Sequence, residues 1–375
     1  MRRTVGLLVS VLPLLTTTVF AQARDQILRR SEGPILAEVV SENYEKVVYK
    51  DGAEQAEIPT DQVKDIIYSN TPDSYYTAED LRDRGQYENA IKSFKLAQND
   101  GNTGEWVKEY TRFQIAECYR RWGGSHFDDA ISAYEGMISQ HPESRFLAPA
   151  LFGLGMSQMS AGLTSAAIDT FSKLESEASS KRLGEYWIAK ARFEKAWGQL
   201  AAKQFGPARN TFASAGSLAD SVLSRNEDLP QDKKRELEEL QVGAKLAEGD
   251  SYLEEGKVDQ AESFFSNLSR SASASPALQA GALNGLGECL FKKKQFEQAR
   301  YEFTRANVLF RGSAEQIARS LFWLGRCVEE MQEPRWETKQ TSYWEELRQQ
   351  YPESRWSDRL REIQSQQAGA SEENR

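Results

Sequence analysis

A small residue followed four places later by an aromatic recurs along most of this chain. The pairs are Ala90 and Phe94, Ala130 and Tyr134, Ala167 and Phe171, Ala208 and Phe212, Ala261 and Phe265, and Ala299 and Phe303. Four places is about one helical turn, so the two members of each pair share a helix face. Successive alanines lie 40, 37, 41, 53 and 38 residues apart, close to the length of one helix–turn–helix unit. A second register runs ahead of the first. Ala78, Gly155, Ala196, Gly249 and Gly287 each stand twelve places before one of those alanines, and Ala116 stands fourteen before Ala130. Small residues at fixed points let two antiparallel helices approach closely, with the aromatic filling the gap beside them. A degenerate seventh unit carries Leu321, Leu324, Gly325, Tyr343 and Trp344. The pattern predicts an α-solenoid of about seven helix pairs over residues 76–362.

Residues 24–70 read differently. Ile35 to Val40, Lys46 to Tyr49 and Val63 to Tyr68 are short runs rich in β-branched and aromatic residues, and Asp51-Gly52 is a strong turn signal. Three or four strands in so short a stretch predict a small curled sheet, similar to the SH3-like or Sm-like half-barrels. A sheet of this size buries little surface alone, so it is expected to lean on the first helices. Two roles follow: a cap for the first apolar face of the array, or a peptide-binding mini-barrel.

Across residues 76 to about 360 the two linked registers resemble the tetratricopeptide repeat family. Unit six shows them in full, as Leu286-Gly287-Glu288-Cys289-Leu290 and then Gln295 through Phe303. Two helix ends, His141-Pro142-Glu143-Ser144-Arg145-Phe146 and Tyr351-Pro352-Glu353-Ser354-Arg355-Trp356, are similar to the "Y-P-x-S" ends of exported, envelope-associated members. Proline stops one helix and serine can cap the next. The resemblance implies that first helices line a concave groove. Counting the small residue as the eighth place, the fifth, ninth and twelfth places are unusually apolar, and they make Phe113, Phe152, Met156, Met159, Phe193, Trp197, Phe291 and Phe322 the candidate protein-binding residues. The competing expectation is that these side chains are packed, by a tight superhelix or by the β-rich module.

The N-terminus sets an expected location. Arg2 and Arg3 precede an apolar stretch at 5–15, and Ala21-Gln22-Ala23 offers a cleavage site, the three-part order of a secretory signal over residues 1–23. The apolar stretch is too short to span a bilayer, which takes about 20 residues. No lipidation cysteine lies beside the cleavage site. The expectation is export, to a periplasmic location, without a direct membrane span. Residues 363–375 should form a frayed tail. The 53-residue interval inserts about a dozen residues at 218–239, read either as a lengthened helix pair or as a docking elbow.

Composition narrows the function classes. The 375 residues carry 47 Lys and Arg against 56 Asp and Glu, a net charge of −9, which argues against nucleic acid as partner. Two histidines, His126 and His141, sit at opposite ends of one helix, so neither a metal site nor a Ser/His/Asp group is expected. Cys118, Cys289 and Cys327 each fall two places after the small residue of a first helix, where Ser157 and Ser251 stand in other units. A slot that takes Cys or Ser is a small buried packing site, which predicts free thiols rather than disulfides. No cofactor or catalytic set is expected. The leading reading is a non-enzymatic scaffold or adaptor that holds a protein or peptide of the cell envelope. The alternatives are a self-assembling structural component of an envelope complex and a peptidoglycan- or glycan-associated binding protein.

Overall fold

A computed structural model describes residues 24–364 apart from 102–103, 226–228, 272–273, 311, 333, 353 and 362. The expected signal at 1–23, and the expected tail from 365 onward, lie outside the described residues.

Five strands form one antiparallel sheet: β1 Asp25–Arg29, β2 Ile35–Glu42, β3 Lys46–Asp51, β4 Glu54–Pro59 and β5 Val63–Ile67, in the order β4-β3-β2-β1-β5. Gly52, at φ +68°, makes the two-residue turn that sets Asp51 opposite Glu54. A single 3-10 turn, Thr60–Gln62, joins β4 to β5. Strands β1 to β4 run as a meander, and β5 returns to pair with β1. Strand β1, which lies between β2 and β5, is one the sequence pattern missed. Its apolar alternation is hidden because Asp25 is buried, accepting the backbone N–H of Val39 at 2.9 Å and of Ser69 at 2.7 Å. A buried carboxylate satisfied by backbone donors is invisible to a hydrophobicity count.

Fourteen paired helices follow among the described residues. They pair as α1 Asp73–Asp83 with α2 Tyr87–Gln98, α3 Trp106–Trp122 with α4 Phe127–Gln140, and α5 Leu147–Ser160 with α6 Thr164–Ser180. Next come α7 Glu185–Ala201 with α8 Phe205–Arg225, α9 Gln231–Glu254 with α10 Val258–Ser269, α11 Pro276–Lys292 with α12 Phe296–Leu309, and α13 Ala314–Met331 with α14 Trp336–Gln350. A further helical segment starts at Arg355. The seven pairs form the solenoid that the registers predict.

The two registers meet inside each pair. All six second-helix alanines and all six aromatics are fully buried. A methyl added at Gly155 would stand 2.5 Å from the Phe171 ring, at Gly249 2.4 Å from Phe265, and at Gly287 2.6 Å from Phe303. The glycines are there because the ring occupies the space a Cβ would need. Gly325 against Trp344 repeats the arrangement in the degenerate seventh unit. Cys118, Cys289 and Cys327 are buried free thiols, each pushed up to about 12 by burial.

The sheet shares one apolar core with the first helices. Ile27, Val47, Ile58, Val63 and Ile66 join Tyr75, Ala78, Phe94, Val107 and Tyr110 in a single cluster. It also reaches much further along the array. The Tyr44 N–H donates to the Glu143 carbonyl at 3.0 Å, and Lys233 Nζ donates to the Asp61 carbonyl at 3.1 Å. Arg30 pairs with Asp232, 202 residues later. The insertion at 218–239 therefore has a structural destination. It lengthens α8 and the start of α9, and the first turn of α9 is what grips the sheet.

Candidate protein-binding groove

First helices touch their counterparts along the array: α3 with α5, α5 with α7, α7 with α9, α9 with α11 and α11 with α13. They form the inner layer, and the candidate residues lie on it. The sheet divides that layer into two unlike halves.

In the N-terminal half the sheet covers the helices. The junction between them is a cavity of about 370 Å³, bounded by Arg30, Tyr44 and Lys64 on the sheet side and by Phe113, Arg145 and Trp187 on the helix side. Phe113 stacks on Phe146 at 4.5 Å between ring centres. Phe152 packs against Phe171 and Trp187, with Lys190 Nζ 4.5 Å above its ring. Met156 is half-buried and adjoins none of the cavities described here. Two buried or half-buried carboxylates in this half have cationic partners. Glu42, at the end of β2, accepts from Tyr68 and from Tyr110 (2.9 Å) and faces Arg145 at 3.6 Å. Burial raises the Glu42 carboxyl above its ordinary range, and Arg145 opposes that rise. Glu236 is half-buried, which alone would raise it. Hydrogen bonds from Lys190 (2.7 Å) and Tyr186 (2.6 Å) hold it below the usual carboxylate range.

The C-terminal half is open. Two adjoining cavities of about 690 and 1170 Å³ share Trp197, Asp250 and Arg355. The smaller is lined by Met159, Phe291 and Trp323 among its apolar residues, and the larger adds Phe193 and Leu246. Beneath them Arg319, 1% exposed, joins three repeats. Its Nε lies 2.6 Å from Glu288 and its Nη2 2.7 Å from Asp250. Burial raises the Glu288 carboxyl, against the pull of Arg319. Asn284 occupies a fifth place where other units carry apolar residues. It earns that place by donating to the Gln316 carbonyl at 2.8 Å and accepting from Ser320 at 2.8 Å.

Five of the eight candidates, Met159, Phe193, Trp197, Phe291 and Phe113, line cavities. Only the first four face the open half. Phe322 is corrected: it is 1% exposed and belongs to the core. The helical segment from Arg355 lays Trp356 over it, 5.4 Å between ring centres. The repeat register cannot anticipate this, because the covering segment lies outside the helix pairs. The same segment supplies groove residues the register missed, namely Arg355, Trp356 and Arg359. The signal for them was the second Arg-aromatic helix end, Arg355-Trp356.

The fold and site define a helical-repeat protein with an inner groove, half of it closed by its own N-terminal sheet. Residues 110–144 and 246–314 match family models described as tetratricopeptide repeat. The chain carries tetratricopeptide repeats over these residues. No curated protein matches it. Solved structures similar to it include the apo form of RapI, with 15% identity, 73% of this chain and 74% of that chain covered, and a TM-score of 0.45. NprR in complex with its cognate peptide NprX has 11% identity, 76% and 80% coverage and a TM-score of 0.44. A tetratricopeptide repeat protein from Parabacteroides merdae has 15% identity, 67% and 100% coverage and a TM-score of 0.36.

Proposed function

We propose that this chain is an exported, periplasmic, non-enzymatic scaffold that holds a protein or peptide partner of the cell envelope in the C-terminal half of its groove. One observation carries the reading. The sheet occupies the N-terminal half of the inner layer, while the C-terminal half presents Trp197, Phe291 and Met159 around open cavities large enough for peptide side chains. The sheet then acts as a cap, covering the first repeats and pinned at α9 by Arg30 and Lys233. The export signal and cleavage pattern of residues 1–23 support the location.

The test is partner capture from an envelope extract by the intact chain and by Trp197→Ala. Trp197 is half-buried at the cavity mouth, so its loss should abolish capture while circular dichroism stays unchanged. Equal capture by the two would overturn the reading. Light scattering should show a monomer without partner, whereas a concentration-dependent oligomer would favour a self-assembling component. Co-sedimentation with purified peptidoglycan checks the glycan-binding alternative.

A further inference from the structure

The two helix ends His141 to Phe146 and Tyr351 to Trp356 are built alike. His141 N–H donates to Met137 and Tyr351 N–H to Leu347, closing the preceding helix. Ser144 and Ser354 then use their Oγ atoms to receive a backbone N–H just downstream, at 2.9 and 3.2 Å. Each places an arginine over the aromatic that follows it: Arg145 over Phe146 and Arg355 over Trp356, both at 5.1 Å. Each arginine also lies over a groove aromatic, Tyr110 for Arg145 and Trp197 for Arg355.

The first of these ends has an occupant. The corner after β2 brings Glu42 to Arg145 and Tyr110, and two residues later puts Tyr44 against α5 and under Lys181, whose Nζ is 4.6 Å from the ring. The Arg145 side chain is left 6% exposed. The second end is bare by comparison. The Arg355 side chain is 49% exposed and meets one carboxylate, Glu315, at its Nε. Arg359 stands beside it over Trp323 and Trp356. Among the described residues Arg359, Lys203 and Lys292 make no ion pair, and the Asp250 and Glu288 charges are taken up by Arg319. Glu254 is the remaining carboxylate in that cavity. In a chain of net charge −9 this is a local cationic, aromatic-lined opening.

We propose that this opening binds an extended partner segment in which a glutamate precedes a tyrosine by two places, the chemistry that Glu42 and Tyr44 present to the first end. The carboxylate would lie on Arg355 and Arg359, and the aromatic ring among Trp197, Phe291 and Met159. Arginine suits both tasks, since its fork pairs with a carboxylate while its flat face rests on tryptophan. The proposal rests on the scaffold reading and specifies the partner class for the same groove.

The experiment uses the full chain and a labelled synthetic peptide with the sequence of residues 38–48, which contains Glu42 and Tyr44. Fluorescence anisotropy should show saturable binding that weakens as salt is raised. Arg359→Gln and Arg355→Gln/Arg359→Gln should each weaken it, the double variant by about tenfold or more. Both arginines are exposed, so the variants retain the fold. A peptide carrying Glu42→Gln, with Glu38 and Glu45 kept, should bind the wild-type chain as weakly as the double variant binds the original, with no further loss when the two are combined. Absence of binding, binding indifferent to the arginines, or loss only in Arg145→Gln would each overturn the proposal. If Trp197→Ala abolishes capture from the extract yet the peptide does not bind, this partner chemistry fails while the groove reading stands. If both tests fail, both readings fall.

Discussion

Gly287→Ala should destabilise this protein although it improves the local helix. Within a helix, glycine to alanine is worth roughly 0.5–1 kcal/mol in favour of alanine, because glycine loses more backbone freedom on folding. At Gly287 the new methyl would stand 2.6, 2.8 and 2.9 Å from three carbons of the Phe303 ring. Ordinary carbon contacts lie at about 3.5–4.0 Å, so the helix or the ring must yield by nearly an ångström. Phe303 is fully buried and stacked on Trp323, and has nowhere to go. Overpacking of this kind costs about 1–3 kcal/mol. The net expectation is a loss of about 1–2 kcal/mol. Gly136, in the middle of α4, is the control: a methyl there meets only the end of Gln140, at 3.9 Å. Gly136→Ala should therefore stabilise by about 0.5–1 kcal/mol. Urea unfolding followed by circular dichroism measures both. Hydrogen exchange of α11 and α12 reports whether the loss is local. In Gly287→Ala/Phe303→Leu, relief of the clash should make the combined cost smaller than the sum of the single costs. A Gly287→Ala protein as stable as wild type would refute the close-approach account of the whole repeat pattern.

Three further outcomes are expected. Arg319→Met leaves the buried Glu288 and the half-buried Asp250 without their cation and should cost about 3 kcal/mol. Replacing both acids with leucine in the same chain should recover most of that loss in urea unfolding, and no recovery would argue against the triad. Glu194 on α7 is pushed up to about 7 by burial, with Lys190 opposing. Folding therefore favours its protonated form, and its contribution is full below 4.5 and lost as pH rises to about 7. Glu194→Gln should thus gain stability over wild type at pH ~8, by no more than about 3 kcal/mol, and lose that advantage at pH ~4. Lys294, between α11 and α12, holds a left-handed conformation at φ +61°. Lys294→Gly should stabilise by about 1 kcal/mol, read as a higher urea midpoint, because glycine adopts that region without a Cβ penalty.

Legibility in the sequence tracked the range of the interaction responsible. The small–aromatic registers are set within one helix pair, where residues twelve places apart on a helix hairpin are forced together, so the pairs and their buried cysteines could be read directly. Strand β1 could not, because its inward Asp25 is satisfied by donors from Val39 and Ser69, and a one-dimensional pattern records neither. The groove candidates stood in between. Their repeat positions put them on the inner layer, but two chain-distant elements decided which of them stay open. The N-terminal sheet, held at one end by Tyr110 and at the other by Asp232 and Lys233, bounds the cavity that Phe113 lines, and the segment from Arg355 buries Phe322.

The sequence by itself determined the repeated unit, since the spacing of small and aromatic residues dictates how two adjacent helices can pack. It also identified a separate β-rich beginning, because its short β-branched runs cannot serve as helix faces. Only the tertiary structure decided where the exposed chemistry lies. Curvature of the stack brings Arg355 across to Trp197 and seats Arg319 between two acids from different repeats. Those contacts join residues far apart in the chain, and their geometry follows from the accumulated rotation of the repeats rather than from any local pattern.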